Sequence, residues 1–213
     1  MTVYTLPDLD YDYGALEPHI TAQIMQLHHD KHHATYVAKA NEAVEQLEEA
    51  RASGGFKSLP GLERTLAFNV SGHALHSLFW KNLSPEGGGQ PDAQLAEAIR
   101  RDCGGFEAMR GQMNEAGATL MGSGWAALVW EPLGQRLQVL QVYDHQGNVC
   151  QGCVPLLVLD GWEHAYYLQY KTDKAAFFKA LWNVVSWEDV ASRFAAARSQ
   201  AQAAVVPAPV RRT

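Results

Sequence analysis

Cysteine is scarce in this sequence, and long apolar runs are missing. Three cysteines occur among 213 residues, a small and odd number that excludes a disulfide-stapled scaffold. No apolar run approaches the roughly 18 residues of a membrane span, and the N-terminus lacks a charged-then-apolar signal pattern. We therefore expect a soluble, cytoplasmic, globular protein with no membrane partner.

Basic residues are also few. The chain has 17 Lys and Arg against 23 Asp and Glu, which gives a formal net charge of −6. A nucleic-acid-binding protein would show a clustered basic excess, so we expect no nucleic-acid partner. Apolar bulk is abundant instead, because 47% of the residues are hydrophobic and 10% are aromatic. That composition excludes intrinsic disorder and predicts a packed core.

Hydrophobic periodicity predicts two long helices in the first half of the chain. Apolar residues recur at three- and four-residue steps from residue 21 to about residue 52, and a second apolar segment covers residues 62–83. Thr21 is a suitable N-cap, and Gly54 with Gly55 forms a stop. We expect these helices to form an antiparallel hairpin.

The second half, after a glycine-rich boundary at residues 87–91, mixes helices with strands. Short β-branched or aromatic runs between turn residues predict three strands, at residues 125–130, 137–143 and 154–159. Helical patterns flank them at residues 92–101, 106–120, 177–185 and 187–198. The predicted fold class is α+β: an N-terminal long helical hairpin domain (1–89), then a C-terminal α/β domain with a three-stranded antiparallel sheet (90–198), then a disordered tail (199–213).

The histidines are unevenly distributed, and two groups fall on the predicted hairpin. Four lie within residues 28–33, and on a helix His28 and His32 share a face that also carries Tyr36 and apolar side chains, so this face points inward. His73 and His76 lie in the second apolar segment. Buried imidazoles need partners, and facing helices of a bundle are where metal sites are built.

The sharpest signal is Asp160, which directly follows the apolar strand 154–159. A carboxylate at the end of a buried strand is costly unless a cation or a metal neutralises it. A turn-capping role would explain Asp160 alone, but it would not require His164 four residues later. Three imidazoles and one carboxylate form a mixed N/O donor set that suits Fe, Mn or Zn, and the lack of a thiolate disfavours a structural zinc site.

At these residues the sequence resembles the iron/manganese superoxide dismutase family. The stretch 160–167, Asp-Gly-Trp-Glu-His-Ala-Tyr-Tyr, is similar to that family's signature, and the likeness extends over residues 6–36, 68–85, 122–125 and 182–187. The resemblance implies conversion of superoxide to dioxygen and hydrogen peroxide by one Mn or Fe ion per subunit. It also implies a hairpin domain followed by an α/β domain, assembled as a homodimer or a homotetramer.

The resemblance implies roles for individual residues as well. The positions that match the metal ligands are His28, His76, Asp160 and His164. The positions that match the substrate gateway are Tyr36 and His32. The positions that match the aromatic shell of the metal are Trp80, Trp125 and Trp162. The positions that match residues reaching across a dimer interface are Glu163 and Tyr167. Positive charge for an anionic substrate would come from Lys31 and Lys174.

One family position is open: the residue, usually Gln, that hydrogen-bonds the bound solvent. The helix position that carries it in some members is Gly72 here, so the sheet must supply it. Counting forward from residue 137 places His145 at the family position, whereas counting back from residue 155 places Gln146 there. We favour His145, which becomes the third catalytic candidate. Gly72 points toward manganese, whereas His145 also occurs in iron-using and metal-promiscuous members, so Mn and Fe both stay possible.

Two other functions compete with dismutation. A non-haem iron oxygenase would use two histidines and one carboxylate, with several open positions, and a third histidine predicts a more filled site. A catalytically silent metal-binding protein of the same fold would tolerate loss of Tyr36, His32 and the solvent-bonding residue, yet all are present.

The sequence Cys150-Gln151-Gly152-Cys153 is a C-x-x-C motif. It lacks a second pair for a metal site and does not open a helix in a βαβ unit, so a thioredoxin role is disfavoured. We interpret it as a loop feature whose redox state the sequence leaves open.

Overall fold

The structure is a computed structural model that describes residues 2–200. Its first long element is an interrupted helix: α1 (Ala22–Leu27), a π-helical turn (His28–His33) and α2 (Ala34–Ser53). The Thr21 hydroxyl accepts a hydrogen bond from the Ile24 amide, and Gly54 ends α2 in the left-handed conformation with φ 71°. Both predicted helix ends are confirmed. The π-helical turn was not predicted, and it coincides with the histidine cluster.

The second arm of the hairpin is α3 (Leu59–Lys81), which follows a short 3-10 turn at Phe56–Ser58 and packs along α2. It begins three residues before the predicted start, with Pro60 in its first turn, where a proline is tolerated. The predicted helical hairpin is therefore confirmed with shifted ends.

The second half contains two helices, three strands and three further helices. They are α4 (Ala93–Cys103), α5 (Phe106–Ala118), β1 (Gly124–Glu131), β2 (Arg136–Tyr143), β3 (Val154–Asp160), α6 (Tyr167–Tyr170), α7 (Lys174–Leu181) and α8 (Trp187–Gln200). A 3-10 turn, Glu163–Ala165, lies between β3 and α6. The α+β class is confirmed. The predicted helix at 177–185 ends early, at Leu181, because Val185 forms a β-bridge with Leu83.

The sheet has the strand order β2-β1-β3, and both neighbouring pairs are antiparallel, as predicted. The central strand β1 is buried from Gly124 to Trp130, which explains its continuous apolar sequence. Trp125 pairs with Asp160 on β3, so the register places an indole directly beside the carboxylate.

Asn82, at the C-terminal end of α3, connects the hairpin to the strand that carries Asp160. Its side chain is fully buried, and its Nδ2 donates to the Leu156 carbonyl at 3.0 Å and to Asp189 Oδ2 at 2.8 Å. Its Oδ1 accepts from the Val158 amide at 2.9 Å. These bonds fix β3 relative to α3, and therefore fix Asp160 relative to His76.

Among residues 2–200, no helix combines the length and the apolar character that crossing a bilayer requires. Helix α8 includes residues 199 and 200, and the rest of the predicted tail, residues 201–213, lies outside the described residues.

Candidate metal centre

Four elements each bring one side chain to a single point. The π-helical turn contributes His28, α3 contributes His76, the end of β3 contributes Asp160 and the following 3-10 turn contributes His164. One ligand atom from each of these residues lies within 4.8 Å of all the others. His28, His76, Asp160 and His164 thus form a metal-binding group, as predicted from the sequence.

The carboxylate of Asp160 is the hub of this group. Its Oδ2 lies 3.0 Å from His28 Nε2, 3.2 Å from His164 Nε2 and 3.7 Å from His76 Nε2. The side chains of Asp160 and His76 are fully buried, and that of His164 is 10% exposed. A carboxylate in such a place needs positive charge, and no lysine or arginine side chain pairs with it among the described residues.

The Nε2 atoms of His28 and His76 have lone pairs available to a metal ion. His76 Nδ1–H donates to the Gly72 carbonyl at 2.6 Å, which leaves the Nε2 lone pair free. The Nε2 atoms of His28 and His76 are buried without a hydrogen-bond partner among the described residues. A buried polar atom in that state is costly, and a metal ion would satisfy both atoms at once. The residues present therefore fit a metal ion.

The protonation states agree with this fit. Burial lowers the pKa of His28 to about 4 and holds the pKa of His76 well below its ordinary value. Burial alone would raise the pKa of Asp160, but the neighbouring His164 and His28 lower it below its usual range. Neutral imidazole and ionised carboxylate are the forms that bind metal.

Three tryptophans surround the ligands, each against a different histidine. Trp80 meets the His28 ring at 4.8 Å and Trp125 meets the His76 ring at 5.0 Å, both edge to face. Trp162 stacks on the His164 ring at 5.5 Å with an interplanar angle of 23°. The three indoles therefore cover part of the ligand group.

His145 enters this cluster and Gln146 does not. Trp125 Nε1–H donates to His145 Nδ1 at 3.0 Å, so the neutral imidazole carries its proton on Nε2. That Nε2 is buried and has no hydrogen-bond partner among the described residues. The His145 ring stacks on Trp162 at 4.5 Å, whereas the side chain of Gln146 is exposed. Burial lowers the pKa of His145 to about 4, which keeps the ring neutral.

Tyr36 and His32 lie at the edge of the ligand group. The Tyr36 ring is 5.1 Å from His76 and 4.6 Å from His145, and burial raises the pKa of its hydroxyl. The half-buried His32 stacks on His164 at 4.1 Å. Gly72 makes room for this arrangement, because a Cβ there would lie 2.9 Å from the Tyr36 ring and 3.2 Å from His145 Cδ2.

The remaining predicted residues lie farther out. Lys174 is half-buried, donates to the Leu120 carbonyl at 3.3 Å and lines a cavity of about 410 Å³ that also contacts His164. Lys31 is exposed and does not line that cavity. Glu163 lines the same cavity but is exposed, and Tyr167 is 46% exposed.

The sequence interpretation missed one buried histidine contact. Trp80 Nε1–H donates to His33 Nδ1 at 2.9 Å, and His33 Nε2–H in turn donates to His73 Nδ1 at 2.8 Å. This chain orients the indole that covers His28. The four-residue spacing of His29 and His33 indicated a second histidine face, but nothing in the sequence named Trp80 as its partner.

The centre belongs to a definite class: a mononuclear metal site with three imidazoles and one carboxylate, enclosed by aromatic side chains. Family models of the iron/manganese superoxide dismutases match nearly the whole chain, the alpha-hairpin domain at residues 3–84 and the C-terminal domain at residues 91–193. The chain belongs to the iron/manganese superoxide dismutase family. It is a superoxide dismutase, and its cofactor is Fe or Mn.

Curated relatives agree on the family and differ in the metal they are named for. The chain is 59% identical over 200 residues to a superoxide dismutase (Fe) of Mycobacterium tuberculosis, and 56% identical over 200 residues to a superoxide dismutase (Mn) of Mycolicibacterium smegmatis. Each alignment covers 94% of this chain and 97% of the relative. A superoxide dismutase (Mn/Fe) of Propionibacterium freudenreichii subsp. shermanii is 54% identical over 198 residues, 92% of this chain and 98% of the relative. Overall similarity therefore does not separate Fe from Mn.

Proposed function

We propose that this centre dismutes superoxide with His145, Tyr36 and His32 as the side chains that control protons and access. Two superoxide anions and two protons give one dioxygen and one hydrogen peroxide. A bound Fe or Mn ion would supply the redox chemistry by changing between its divalent and trivalent states. The protein holds the ion, keeps the pocket dry and supplies the protons. The four converging ligand atoms, within 4.8 Å of one another, carry this proposal.

The ligand set keeps the site attractive to an anion. His28 and His76 are neutral, so Asp160 supplies the negative charge of the donor set. A divalent or trivalent ion would therefore leave the site positive in both states. The aromatic walls lower the local dielectric constant and strengthen this attraction.

His145 is proposed to donate a hydrogen bond from Nε2–H to the oxygen species that reacts in the pocket. Its position beside Tyr36 and Trp162 supports this role, and the bond from Trp125 to Nδ1 fixes the required tautomer. Loss of one preorganised donor costs about two orders of magnitude in turnover in other enzymes. Gln146, the alternative, has its exposed side chain turned back to the His145 amide at 3.3 Å.

Paired variants at adjacent positions test this assignment. We expect His145→Ala to retain its metal and to lose turnover by about two orders of magnitude. Gln146→Ala is the matched control and should keep full turnover. Equal activity of the two variants, measured as superoxide decay per bound metal ion, would remove His145 from the mechanism.

Tyr36 is proposed to hold a proton at its hydroxyl, and His32 to border the entry to the site. Burial favours the protonated phenol of Tyr36, and the ring contacts both His76 and His145. His32 covers the outer face of His164. Tyr36→Phe keeps the ring and removes only the hydroxyl, so we expect normal metal content with slower proton-dependent turnover.

Lys174 and Lys31 are proposed to attract the anionic substrate. The chain carries a formal net charge of −6, so local positive charge matters more than the total. Lys174 has the stronger support because it lines the cavity beside His164.

A homodimer, or a homotetramer built from it, is the proposed assembly. Glu163 flanks the ligand His164, and its carboxylate has no hydrogen bond or ion pair within residues 2–200. Tyr167 and Leu168 follow closely and are 46% and 48% exposed. Exposed apolar side chains beside a buried centre suit a contact with a second copy. Sedimentation of the wild type and of a Tyr167→Asp variant tests this proposal.

The proposed organisation is a hairpin domain (1–89) and an α/β domain (90–198), and the proposed compartment is the cytoplasm. The family models divide the chain between residues 84 and 91, which supports that boundary. All three cysteines are free thiols, which supports a reducing compartment. Cell fractionation with an antibody against the chain tests the location.

A further inference from the structure

The C-x-x-C motif forms a tight turn in the connection between β2 and β3. The Cys153 amide donates to the Cys150 carbonyl at 3.1 Å, and Gly152 has φ 83°. A hydrogen bond between the first and fourth residues, with a left-handed glycine at the third, defines a type II β-turn. The ends of such a turn have Cα atoms less than about 7 Å apart, which is the separation that a disulfide bond requires.

The two thiols differ in a way that suits stepwise oxidation. Cys150 is exposed and reachable from solvent, whereas Cys153 is half-buried. Burial, together with the nearby Cys150, raises the pKa of Cys153 to about 11. Cys150 is therefore the sulfur that an oxidant meets first, and Cys153 is a protonated thiol at the other end of the same hydrogen-bonded turn.

We propose that Cys150 and Cys153 form an oxidation site for hydrogen peroxide, the product of the enzyme's own reaction, and close to an intramolecular disulfide. The Cys150 thiolate attacks one peroxide oxygen, the O–O bond breaks, and Cys150 becomes a sulfenic acid with release of hydroxide. The Cys153 sulfur then attacks the Cys150 sulfur and displaces a second hydroxide. The two hydroxides become water by taking up the Cys153 proton and the proton that Cys150 released when its thiolate formed. In total, two thiols are oxidised to one disulfide, and one peroxide is reduced to two waters.

The location of the turn connects it to the metal centre. A cavity of about 270 Å³ has Cys153, Gln151 and His145 among its lining residues. The hydrogen-bonded turn keeps the two Cα atoms within the separation that a disulfide allows, so we expect closure to need only rotation of the two side chains. Cys103 is a built-in control, because it is buried and burial raises the pKa of its thiol.

Peroxide titration of the holoenzyme tests this site. The protein is treated with hydrogen peroxide, quenched with catalase, unfolded, alkylated with iodoacetamide and weighed by mass spectrometry. We expect the untreated chain to take up three alkyl groups and the treated chain only one, on Cys103, with the peptide containing residues 150–153 lighter by two hydrogen atoms. In the Cys103→Ser variant, peroxide treatment should remove the two alkylatable thiols of Cys150 and Cys153 in the same way.

Single-cysteine variants test the order of the steps. Cys153→Ser should retain a sulfenic acid at Cys150 that dimedone labels, and Cys150→Ser should gain no label at Cys153. Three alkylatable thiols after treatment with excess peroxide, disulfides only between chains, or dimedone labelling confined to Cys153 would each overturn the proposal. The origin of the oxidant rests on the dismutase activity, but peroxide is added directly here. A failure of this test therefore leaves dismutation untouched, and loss of dismutase activity would not prevent a positive result.

Discussion

Gly72→Ala is the substitution for which the structure gives the most specific prediction. Gly72 is buried in the middle of α3, and a Cβ at this position would lie 2.9 Å from two ring carbons of Tyr36 and 3.2 Å from His145 Cδ2. Ordinary contacts of a Cβ begin near 3.4 Å. The Tyr36 ring must therefore shift and the His145 ring must give by a few tenths of an ångström, which displaces both proposed proton-handling side chains.

The cost follows from two opposing effects. Alanine in place of a mid-helix glycine stabilises the helix by about 0.5–1 kcal/mol. Overpacking of a filled site costs about 1–3 kcal/mol. Gly111→Ala isolates the first effect, because Gly111 lies in the middle of α5, is exposed and has nothing within 4 Å of the added Cβ. The two variants should therefore differ by about 1–3 kcal/mol in the free energy of unfolding.

Calorimetry and superoxide decay measure the two consequences separately. In a chain of this size, a change of 1 kcal/mol in the free energy of unfolding shifts Tm by about 2–4 °C. The Tm of Gly111→Ala should therefore equal or slightly exceed that of the wild type. The Tm of Gly72→Ala should lie clearly below that of Gly111→Ala. Metal content should be unchanged in both variants, since the three atoms nearest the added Cβ at residue 72 belong to Tyr36 and His145 and not to a ligand. Activity per bound ion should fall only in Gly72→Ala. If Gly72→Ala is as stable as Gly111→Ala and fully active, the packing of Tyr36 against Gly72 is not as described.

Three other perturbations have defined outcomes. Asn82→Ala leaves the Val158 amide and the Leu156 carbonyl without their buried partner. It should therefore lower the free energy of unfolding, measured in urea, by about 2–4 kcal/mol. The control is Asn183→Ala at an exposed position, which should lower it by less than about 0.5 kcal/mol. His28→Ala and His164→Ala should each lose stoichiometric metal, measured by elemental analysis, and full metal content would contradict the ligand assignment. At low ionic strength, Lys174→Met should slow superoxide decay more than Lys31→Met does, and this difference should shrink as salt is added. Equal rates for the two variants at all salt concentrations would show that Lys174 does not attract the substrate.

Much of the scaffold around the ligands was predictable because its helices and strands have periodic or capped sequences. Thr21, Gly54 and the inward face of the histidine helix follow from local rules, and so does the apolar strand that ends at Asp160. The π-helical turn at His28–His33 was not predictable, since its residues satisfy an α-helical pattern equally well. Helix α6 and the 3-10 turn before it are too short to produce a period.

The choice between His145 and Gln146 illustrates a different limit. Either residue can be reached by counting along a strand, because one residue of slippage exchanges the two faces. The structure shows where the two side chains lie through the turn after β2, where Asp144 adopts φ 50° and Tyr143 bridges Gly147. That turn directs His145 inward to Trp125, a contact between residues 20 positions apart. Local sequence does not encode such a pairing.

Superoxide decay per bound ion, measured on apoprotein reloaded separately with Fe and with Mn, tests the central claim most directly. We expect each metal to bind at one ion per chain, and at least one of the two to accelerate superoxide decay. Activity with both metals would point to His145 as the residue that tolerates either one. Stoichiometric binding of both ions without acceleration by either would contradict the account and leave a catalytically silent metal-binding protein of the same fold.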